Sequence, residues 1–143
     1  MIEGVIVTPL KQISNDKGDI YHAMKSSDNG YVSFGEAYFS TVYYKEIKGW
    51  KKHREMVLNL IVPIGIVKFV IYDDRSNSPT YNEFNEFVIG LDNYCRLTVP
   101  PGLWVSFQGA GRDTNMLLNL ASIIHDPEES TNCGLEHIKF NWN

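Results

Sequence analysis

The sequence predicts an all-β fold, a sandwich or barrel of the jelly-roll kind. Its apolar segments are short and rich in Val, Ile, Tyr and Phe, which favour strands. Turn-forming clusters such as SSDNG, DDRSNSPT and QGAGRD separate these segments at close intervals. Almost no segment has the helical period. Many short strands at this spacing are typical of sandwiches and barrels.

The individual strands follow from the apolar segments and the turns between them. The run LNLIVPIGIVKFVIYDD predicts a hairpin that turns between Pro63 and Gly65. Pro63 then stands at the end of a strand, where its missing N–H costs little. The C-terminal CGLEHIKFNWN is expected to add a short strand or a helical turn. The predicted strands lie near residues 3–8, 18–24, 33–43, 46–54, 56–63, 65–73, 83–90, 94–99, 103–108 and 115–124.

Length and charge limit the class of protein. A chain of 143 residues has the length of one domain, so we expect residues 1–143 to form a single domain. The formal net charge of −4 argues against nucleic acid as a partner, because binding to phosphates requires a basic surface. The sequence has neither a signal-peptide pattern nor a run approaching the ~18 apolar residues of a membrane span. We therefore expect a cytoplasmic protein with no membrane partner.

A basic cluster, GWKKHREM, directly precedes the most apolar run. If residues 48–62 form one extended strand, Lys51, His53 and Asn59 share a face, because side chains alternate along a strand. Both faces become apolar after residue 56, which predicts a strand covered on both sides. Basic clusters at strand ends are usually solvated surfaces, so the sequence pattern alone leaves open whether this one lines a reaction chamber.

Two asparagines, Asn59 and Asn119, each lie within an apolar LNL triplet. A buried amide that makes no hydrogen bonds costs about 1–3 kcal/mol. These side chains therefore either line one polar cavity or satisfy irregular backbone groups. The pattern gives the two interpretations equal support.

Four segments resemble motifs of the dTDP-4-dehydrorhamnose 3,5-epimerase family. YDDRSNSPTYNEFNEFVIG resembles its D-x-R-x-x-S-P-T-aromatic run, the most specific of the four. VPPGLWVSF is similar to I-P-x-G-F-A-H-G-F, FGEAYFS to F-x-Q-D-N-x-S, and NDKGD to an early D-x-R-G motif on the phosphate side of the site. The likeness covers roughly residues 4–130. It implies a cupin jelly roll, dimeric through exchanged strands, that acts on nucleotide-linked sugars in surface-polysaccharide synthesis.

The resemblance also implies a changed catalytic set. The family's catalytic histidine corresponds to Lys51, and its motif arginine to Lys48. The histidine of its P-x-G-x-x-H turn corresponds to Val105. The tyrosine that serves as the opposite acid falls at or near Asn119, and the aspartate that orients the histidine has no clear counterpart in IKFNWN. By these residues the chain does not run the standard 3,5-epimerisation.

The basic cluster is also similar, without gaps, to the sugar 3,4-ketoisomerase cupins. Their pattern is G-F-H-x-H-K-x-L, followed by a strand and Gly. His53 matches the second histidine of that pattern, and Lys51 replaces the first. The chain thus resembles a diverged relative of both groups.

Isomerisation beside a sugar ketone needs a base for the α-proton, a partner for the enolate oxygen and an acid that returns the proton. His53 is the best candidate base, because its unperturbed pKa of about 6.5 lies near neutrality. Lys51 would stabilise the enolate oxygen, or act as the base if burial lowers its pKa. Tyr38 is the leading proton donor, since its position corresponds to a substrate-contacting one, with Tyr43 and Tyr44 as alternatives.

Other side chains are candidate contacts to the rest of a nucleotide sugar. Lys17, Lys48 and Arg54 would hold a diphosphate through charge-assisted hydrogen bonds. Trp104, expected at the mouth of the chamber, would stack on a base or sugar, and core packing is an equal alternative. The remaining predicted substrate-binding residues are Glu36, Asn59 and Asn119.

Metal-dependent cupins carry an H-x-H pair, a glutamate some five residues later and a histidine in the P-x-G-x-x-H turn. The corresponding positions here hold Lys51 with His53, an apolar residue, and Val105. A catalytic metal needs at least three protein ligands. We therefore predict no metal and no other cofactor.

The leading hypothesis is a metal-free cupin that epimerises or isomerises a nucleotide-linked keto sugar, with His53 and Lys51 as the reactive pair. The alternative is a catalytically inactive relative that binds a nucleotide sugar or serves as a partner subunit, which the replaced catalytic residues motivate. A cupin that acts on an unrelated small molecule is the third possibility.

Overall fold

Two five-stranded antiparallel sheets form the body of the molecule. The computed structural model describes residues 1–143. The strands are β1 (Ile6–Pro9), β2 (Gln12–Ile13), β3 (Ile20–Tyr21), β4 (Glu36–Thr41), β5 (Ile47–His53), β6 (Leu58–Ile64), β7 (Ile66–Tyr72), β8 (Phe84–Gly90), β9 (Cys95–Val99), β10 (Trp104–Gly109), β11 (Met116–Ala121) and β12 (Ser130–Asn132). The front sheet has the order β1-β9-β6-β11-β4 and the back sheet β12-β5-β10-β7-β8, while β2 and β3 form a separate hairpin.

The all-β jelly-roll prediction is confirmed. Every predicted strand overlaps an observed one, and the β6–β7 hairpin turns at Gly65, whose φ of 77° suits glycine. The strands β2 and β12 were not predicted, because two or three residues are too few to show a period of two. The C-terminal segment forms a 3-10 turn, Leu135–His137, in agreement with the expected helical turn. No helix in the structure combines the length and apolar character needed to cross a bilayer.

Residues 48–62 do not form one extended strand, the condition under which Lys51, His53 and Asn59 would share a face, and the two separate strands predicted near 46–54 and 56–63 are the ones observed. The strand β5 ends at His53 in the back sheet, and β6 begins at Leu58 in the front sheet. Residues 54–57 carry the chain from one sheet to the other. Side-chain alternation therefore starts again at β6 in the front sheet. A residue of β6 cannot be assigned to a face by counting from β5.

The main apolar core lies between the sheets. It is formed by alternate side chains of β6 and β7, with Val62, Val67 and Phe69 fully buried. Full burial of each such side chain stabilises the fold by roughly 1.5–3 kcal/mol. The core thus fixes the two sheets face to face and leaves the space near β4, β5 and β12 for a cavity.

Both sheets are also covered on their outer faces. The fully buried Arg96 on the front sheet donates through Nη1 to the Ala23 carbonyl at 2.7 Å, which anchors the segment after β3. On the back sheet, Trp50 and Trp104 pack with Ile138 of the C-terminal tail. The apolar run of β6 is therefore covered on both faces, as expected, and Leu58–Val62 are all buried.

The segment that resembles the S-P-T motif forms the turn after β7. The buried Asp73 carboxylate accepts hydrogen bonds from Arg75 Nε at 2.9 Å, Ser78 Oγ at 2.6 Å and Thr80 Oγ1 at 2.7 Å. Burial alone would raise the pKa of Asp73, but these donors outweigh it and hold the pKa well below its usual range. Arg75 Nη2 also donates to the Glu3 carbonyl at 2.8 Å, so the motif fastens the N-terminus to the back sheet.

Candidate active site

A cavity of about 300 Å³ opens between the two sheets. Its volume lies at the lower end of the range for small-molecule sites. Five apolar side chains form part of its lining, namely Leu58, Leu60, Val105, Phe107 and Leu117. Seven polar or charged residues also face it, namely Tyr38, Ser40, Lys48, Lys51, His53, Asn119 and Asn132. The structure therefore brings five of the predicted site residues to one cavity.

His53 lies at the end of β5, where its imidazole is held by a buried carboxylate. His53 Nδ1 hydrogen-bonds to Glu129 Oε1, and both residues are buried. A carboxylate partner favours the proton on Nδ1 and leaves the lone pair of Nε2 as the basic site. The imidazole is thus prepared, in tautomer and orientation, to accept a proton from a ligand in the cavity.

Glu129 is itself held by the turn that follows β5. Its Oε2 accepts from the backbone N–H groups of Arg54 at 3.1 Å, Glu55 at 2.9 Å and Met56 at 3.1 Å. Burial alone would raise the pKa of the Glu129 carboxyl. The hydrogen bonds from His53 and from the Glu55 and Met56 amides outweigh burial and lower the pKa below its ordinary value. The carboxylate therefore stays ionised beside the imidazole.

A short C-terminal segment places Glu129 against the end of β5. Pro127–Glu129 forms a 3-10 turn whose first amide, that of Glu128, is capped by Asp126 Oδ1 at 3.0 Å. The strand β12 follows at once and pairs with β5, with Ser130 opposite His53. This pairing also brings Asn132 to the rim of the cavity.

A β-bulge in β5 puts Lys48 on the same face as Lys51, toward the cavity. Lys48 lies opposite Phe107 and Lys51 opposite Val105, so β5 has two residues between its partners where β10 has one. The extra residue reverses the alternation and puts Lys48 and Lys51 on the same face. Strict alternation along β5 would have separated them. Gly49 permits the close approach, since a Cβ there would lie 2.1 Å from Ser106 Oγ.

The opposite wall carries a phenol and an amide in direct contact. Tyr38 of β4 and Asn119 of β11 are cross-strand partners, and Asn119 Nδ2 donates to Tyr38 Oη at 3.1 Å. Nearby, Lys48 Nζ donates to Ser40 Oγ at 3.2 Å, which links the back-sheet lysine to the front sheet. His53 from the back sheet and Tyr38 from the front sheet thus line the same cavity from its two walls.

The prediction that Asn59 lines the cavity is wrong. Its side chain points out of the front sheet, where Oδ1 accepts from Thr98 Oγ1 at 2.6 Å and Nδ2 donates to the Gly30 carbonyl at 3.1 Å. The chain changes sheets between β5 and β6, which places Leu58 and Leu60 inward and the residue between them outward. Asn59 follows the other interpretation, that of an amide satisfying backbone and side-chain groups.

Trp104 is likewise not at the mouth of the cavity. Its ring belongs to the aromatic cluster on the outer face of the back sheet, and its Nε1 donates to Asp74 Oδ2 at 2.8 Å. Lys52 Nζ lies 4.9 Å from the ring centroid and also binds Asp74. Trp104 alternates with the inward-facing Val105, so core packing is its role.

Three further predicted residues lie outside the cavity lining. Lys17 is exposed in the loop between β2 and β3. Arg54 is exposed and donates through Nη1 to Thr131 Oγ1 at 3.3 Å. Glu36, at the start of β4, accepts a hydrogen bond from the His125 backbone amide through Oε1. Glu36 and Arg54 thus form hydrogen bonds to other parts of the chain and do not line the cavity.

Glu129, the partner of His53, was not among the residues predicted from the sequence. It lies 76 residues after His53 in the chain, within the polar segment HDPEES. No local pattern links the two, since their contact depends on β12 pairing with β5. The available signal was a glutamate followed by a short extended segment, which is too common to be informative. The structure contains no group of three or more His, Cys, Asp or Glu side chains arranged to hold a metal ion.

Comparison with solved structures identifies a close structural neighbour. The dTDP sugar isomerase from Desulfovibrio desulfuricans G20 superposes with a TM-score of 0.94 and 33% sequence identity. The match covers 99% of this chain and 92% of that chain. The likeness therefore extends over the whole fold described above, including β12 and the C-terminal tail.

Two curated proteins are similar in sequence. The probable low-salt glycan biosynthesis epimerase Agl13 of Haloferax volcanii is 29% identical over 130 residues, which is 90% of this chain and 83% of that protein. The spore coat polysaccharide biosynthesis protein SpsL of Bacillus subtilis is 28% identical over 147 residues, covering 100% of this chain and 97% of that protein. No family model matches the sequence.

Proposed function

Because this chain belongs to the dTDP-4-dehydrorhamnose 3,5-epimerase-like family of cupin sugar epimerases and isomerases, we propose that it epimerises or isomerises a nucleotide-linked keto sugar. The observation that carries this proposal is the cavity in which His53, fixed by Glu129, faces Tyr38 across the two sheets. The reaction begins with removal of a proton from the carbon beside the sugar ketone.

His53 is the base in this proposal. Its Nδ1 is occupied by Glu129, so Nε2 receives the α-proton, and the carboxylate stabilises the imidazolium that forms. Lys51 lies two residues before His53 on the same strand and lines the same cavity. Its ammonium stabilises the negative charge that develops on the ketone oxygen.

Tyr38 is the acid that returns a proton on the opposite face. Its oxygen accepts a hydrogen bond from Asn119, so its own O–H is free to point into the cavity. His53 removes the proton on the side of the back sheet, and Tyr38 delivers a proton from the side of the front sheet. The configuration of the carbon is thereby inverted. If His53 instead returned the proton to C4, and the C3 hydroxyl proton passed to the C4 oxygen, the ketone would move from C4 to C3.

Deuterium exchange tests this function. The wild-type protein is incubated in deuterated water with dTDP-linked and other nucleotide-linked 4-keto sugars, and the substrate is followed by proton NMR. We expect the signal of a proton beside the ketone to disappear. Binding of these sugars without exchange would contradict the proposed reaction and favour a non-catalytic binding protein.

Lys48 holds the diphosphate of the nucleotide in this proposal. The Lys48 side chain reaches the cavity because of the β-bulge, and a charge-assisted hydrogen bond contributes roughly 1.5–3 kcal/mol. We expect Lys48→Ala to weaken the binding of dTDP about 10- to 100-fold, measured by calorimetry. The control Lys45→Ala removes a lysine outside the lining and should leave affinity unchanged. Equal affinities in both variants would exclude Lys48 from diphosphate binding.

We also propose that the protein is a homodimer, as the sequence resemblance implies. The edge strand β4 has an unpaired side, and large apolar side chains are exposed on it and beside it, with 64% of Phe34, 64% of Phe39 and 79% of Tyr43 accessible. A second copy bound there would bury this patch. In such a dimer, Lys17, which is exposed on its hairpin, would reach the diphosphate bound to the other copy.

Sedimentation velocity tests the dimer. We expect the wild-type protein to sediment as a dimer and Phe39→Asp to sediment as a monomer, because a charge in an apolar interface is unfavourable. Val88→Asp, at a half-exposed apolar position on the other sheet's edge strand β8, serves as the control. A monomeric wild-type protein would contradict the proposal.

The product is proposed to enter the synthesis of a surface polysaccharide. The names of the two similar proteins from Haloferax volcanii and Bacillus subtilis, which refer to glycan and to spore coat polysaccharide biosynthesis, support this assignment. We propose a cytoplasmic location for the reaction, since nucleotide sugars are formed there.

A further inference from the structure

Asn119 has one half of its amide bonded and the other half buried without a partner. Its Nδ2 donates to Tyr38 Oη at 3.1 Å. Its Oδ1 is buried and accepts no hydrogen bond from any group of the protein. Buried polar atoms are nearly always hydrogen-bonded, so an unpaired acceptor in the lining of a cavity points to a ligand donor.

The surroundings of Asn119 provide no substitute donor. Its neighbours along β11 are leucines, and its partner on β6 is Leu60. The nearby Lys48 ammonium is directed to Ser40. With Nδ2 directed to Tyr38, Oδ1 on the other arm of the amide is left without a donor in the cavity lining.

Asn119 and Tyr38 together form a two-point recognition element. Asn119 Oδ1 is an acceptor, and the Tyr38 O–H is a donor because its oxygen already accepts from Asn119. A complementary substrate presents a hydroxyl to the amide at or next to the carbon that the phenol protonates. An alcohol on the reacting carbon itself satisfies both contacts.

Resting on the proposed function, we propose that Asn119 Oδ1 binds the hydroxyl of the carbon that is deprotonated and reprotonated. A 4-keto hexose has two carbons beside the ketone. C3 carries a hydroxyl, whereas C5 carries the ring oxygen and C6 and has no O–H to donate. Asn119 therefore directs the reaction to C3 and is the residue that determines which carbon reacts.

The chemical step balances without any redox partner. His53 Nε2 takes the C3 proton, and the electron pair of the C3–H bond becomes the C3–C4 double bond while the ketone oxygen takes the negative charge. Tyr38 then gives its proton to C3 from the other face, and the ketone re-forms. Solvent later returns a proton to Tyr38 and removes one from His53, so the protein is unchanged.

The test maps deuterium carbon by carbon in a dTDP-4-keto-6-deoxy sugar. We expect the wild-type protein to introduce deuterium at C3. Asn119→Leu should lower the C3 exchange rate about 10- to 100-fold, because a site built to bind a hydroxyl loses discrimination when that contact is removed. Affinity for dTDP alone should stay within about twofold, since the nucleotide does not reach the amide in this proposal.

A substrate analogue keeps the test valid even where Asn119→Leu folds poorly. The 3-deoxy sugar lacks the hydroxyl, so the wild-type protein should exchange its C3 protons as slowly as Asn119→Leu exchanges those of the natural sugar. Deuterium confined to C5, or equal C3 exchange from the 3-hydroxy and 3-deoxy sugars, would overturn the role of Asn119 while leaving the epimerase function intact. Absence of exchange at every carbon would overturn the proposed function itself, and this inference with it.

Discussion

The Glu129→Gln variant is expected to fold but to lose α-proton exchange by about 10³-fold, because the wrong tautomer of His53 forms. The amide oxygen of glutamine can still accept from the backbone amides after β5. Its NH₂ group, however, would donate to His53 Nδ1 and leave the proton on Nε2. Nε2 could then not accept the substrate proton.

The Glu129→Ala variant is expected to lose stability as well. Three backbone amides and the imidazole would lose their buried acceptor, which lowers the free energy of unfolding by about 3–5 kcal/mol. Exchange rates by NMR and urea unfolding separate the two effects. Glu128→Gln is the matched control, since Glu128 is the exposed neighbour in the same 3-10 turn. Full activity in Glu129→Gln would contradict the positioning role.

The Glu129 pair also predicts how stability depends on pH. The carboxyl has a lower pKa in the folded chain than when unfolded, so its contribution is fully present above its unfolded pKa. That contribution is lost as the pH falls below about 4, through the folded pKa. As the pH is lowered from 5 through the folded pKa of Glu129, the free energy of unfolding should therefore fall more for the wild-type protein than for Glu129→Gln. Urea unfolding measures this difference.

The His53→Gln variant is expected to lose deuterium exchange by at least about 10³-fold, because no other lining residue has an ordinary pKa near neutrality. Its affinity for dTDP should persist, because Lys48 remains. His137→Gln, at an exposed position with no contact to the cavity, is the control.

The lysine variant distinguishes the two candidate bases. If Lys51 were the base, Lys51→Ala would abolish exchange and His53→Gln would retain much of it. With His53 as the base, Lys51→Ala slows exchange through the lost stabilisation of the enolate but does not abolish it. The variant with the lower exchange rate, Lys51→Ala or His53→Gln, therefore identifies the base.

The sequence predicted the parts of the site that lie within one strand or one motif. Alternation placed Lys51 and His53 on one face of β5, and the structure brings both to the cavity. The β-rich segments and the family motifs predicted the jelly roll. These features are local, so spacing along the chain is enough to show them.

The features that alternation could not reveal depend on the third dimension. The bulge that turns Lys48 inward is visible only in the register of β5 against β10. Asn59 faces outward because the chain changes sheets between β5 and β6. Glu129 reaches His53 through the pairing of β12 with β5. Each of these depends on which strands become neighbours, and an alternation count along one segment carries no such information.

The most direct measurement is a crystal structure with an unreactive dTDP-sugar analogue bound. We expect the sugar to occupy the cavity, with the carbon next to C4 within about 3.5 Å of His53 Nε2 and the diphosphate beside Lys48. A sugar ring held outside the cavity, or turned so that His53 cannot reach either neighbouring carbon, would contradict it.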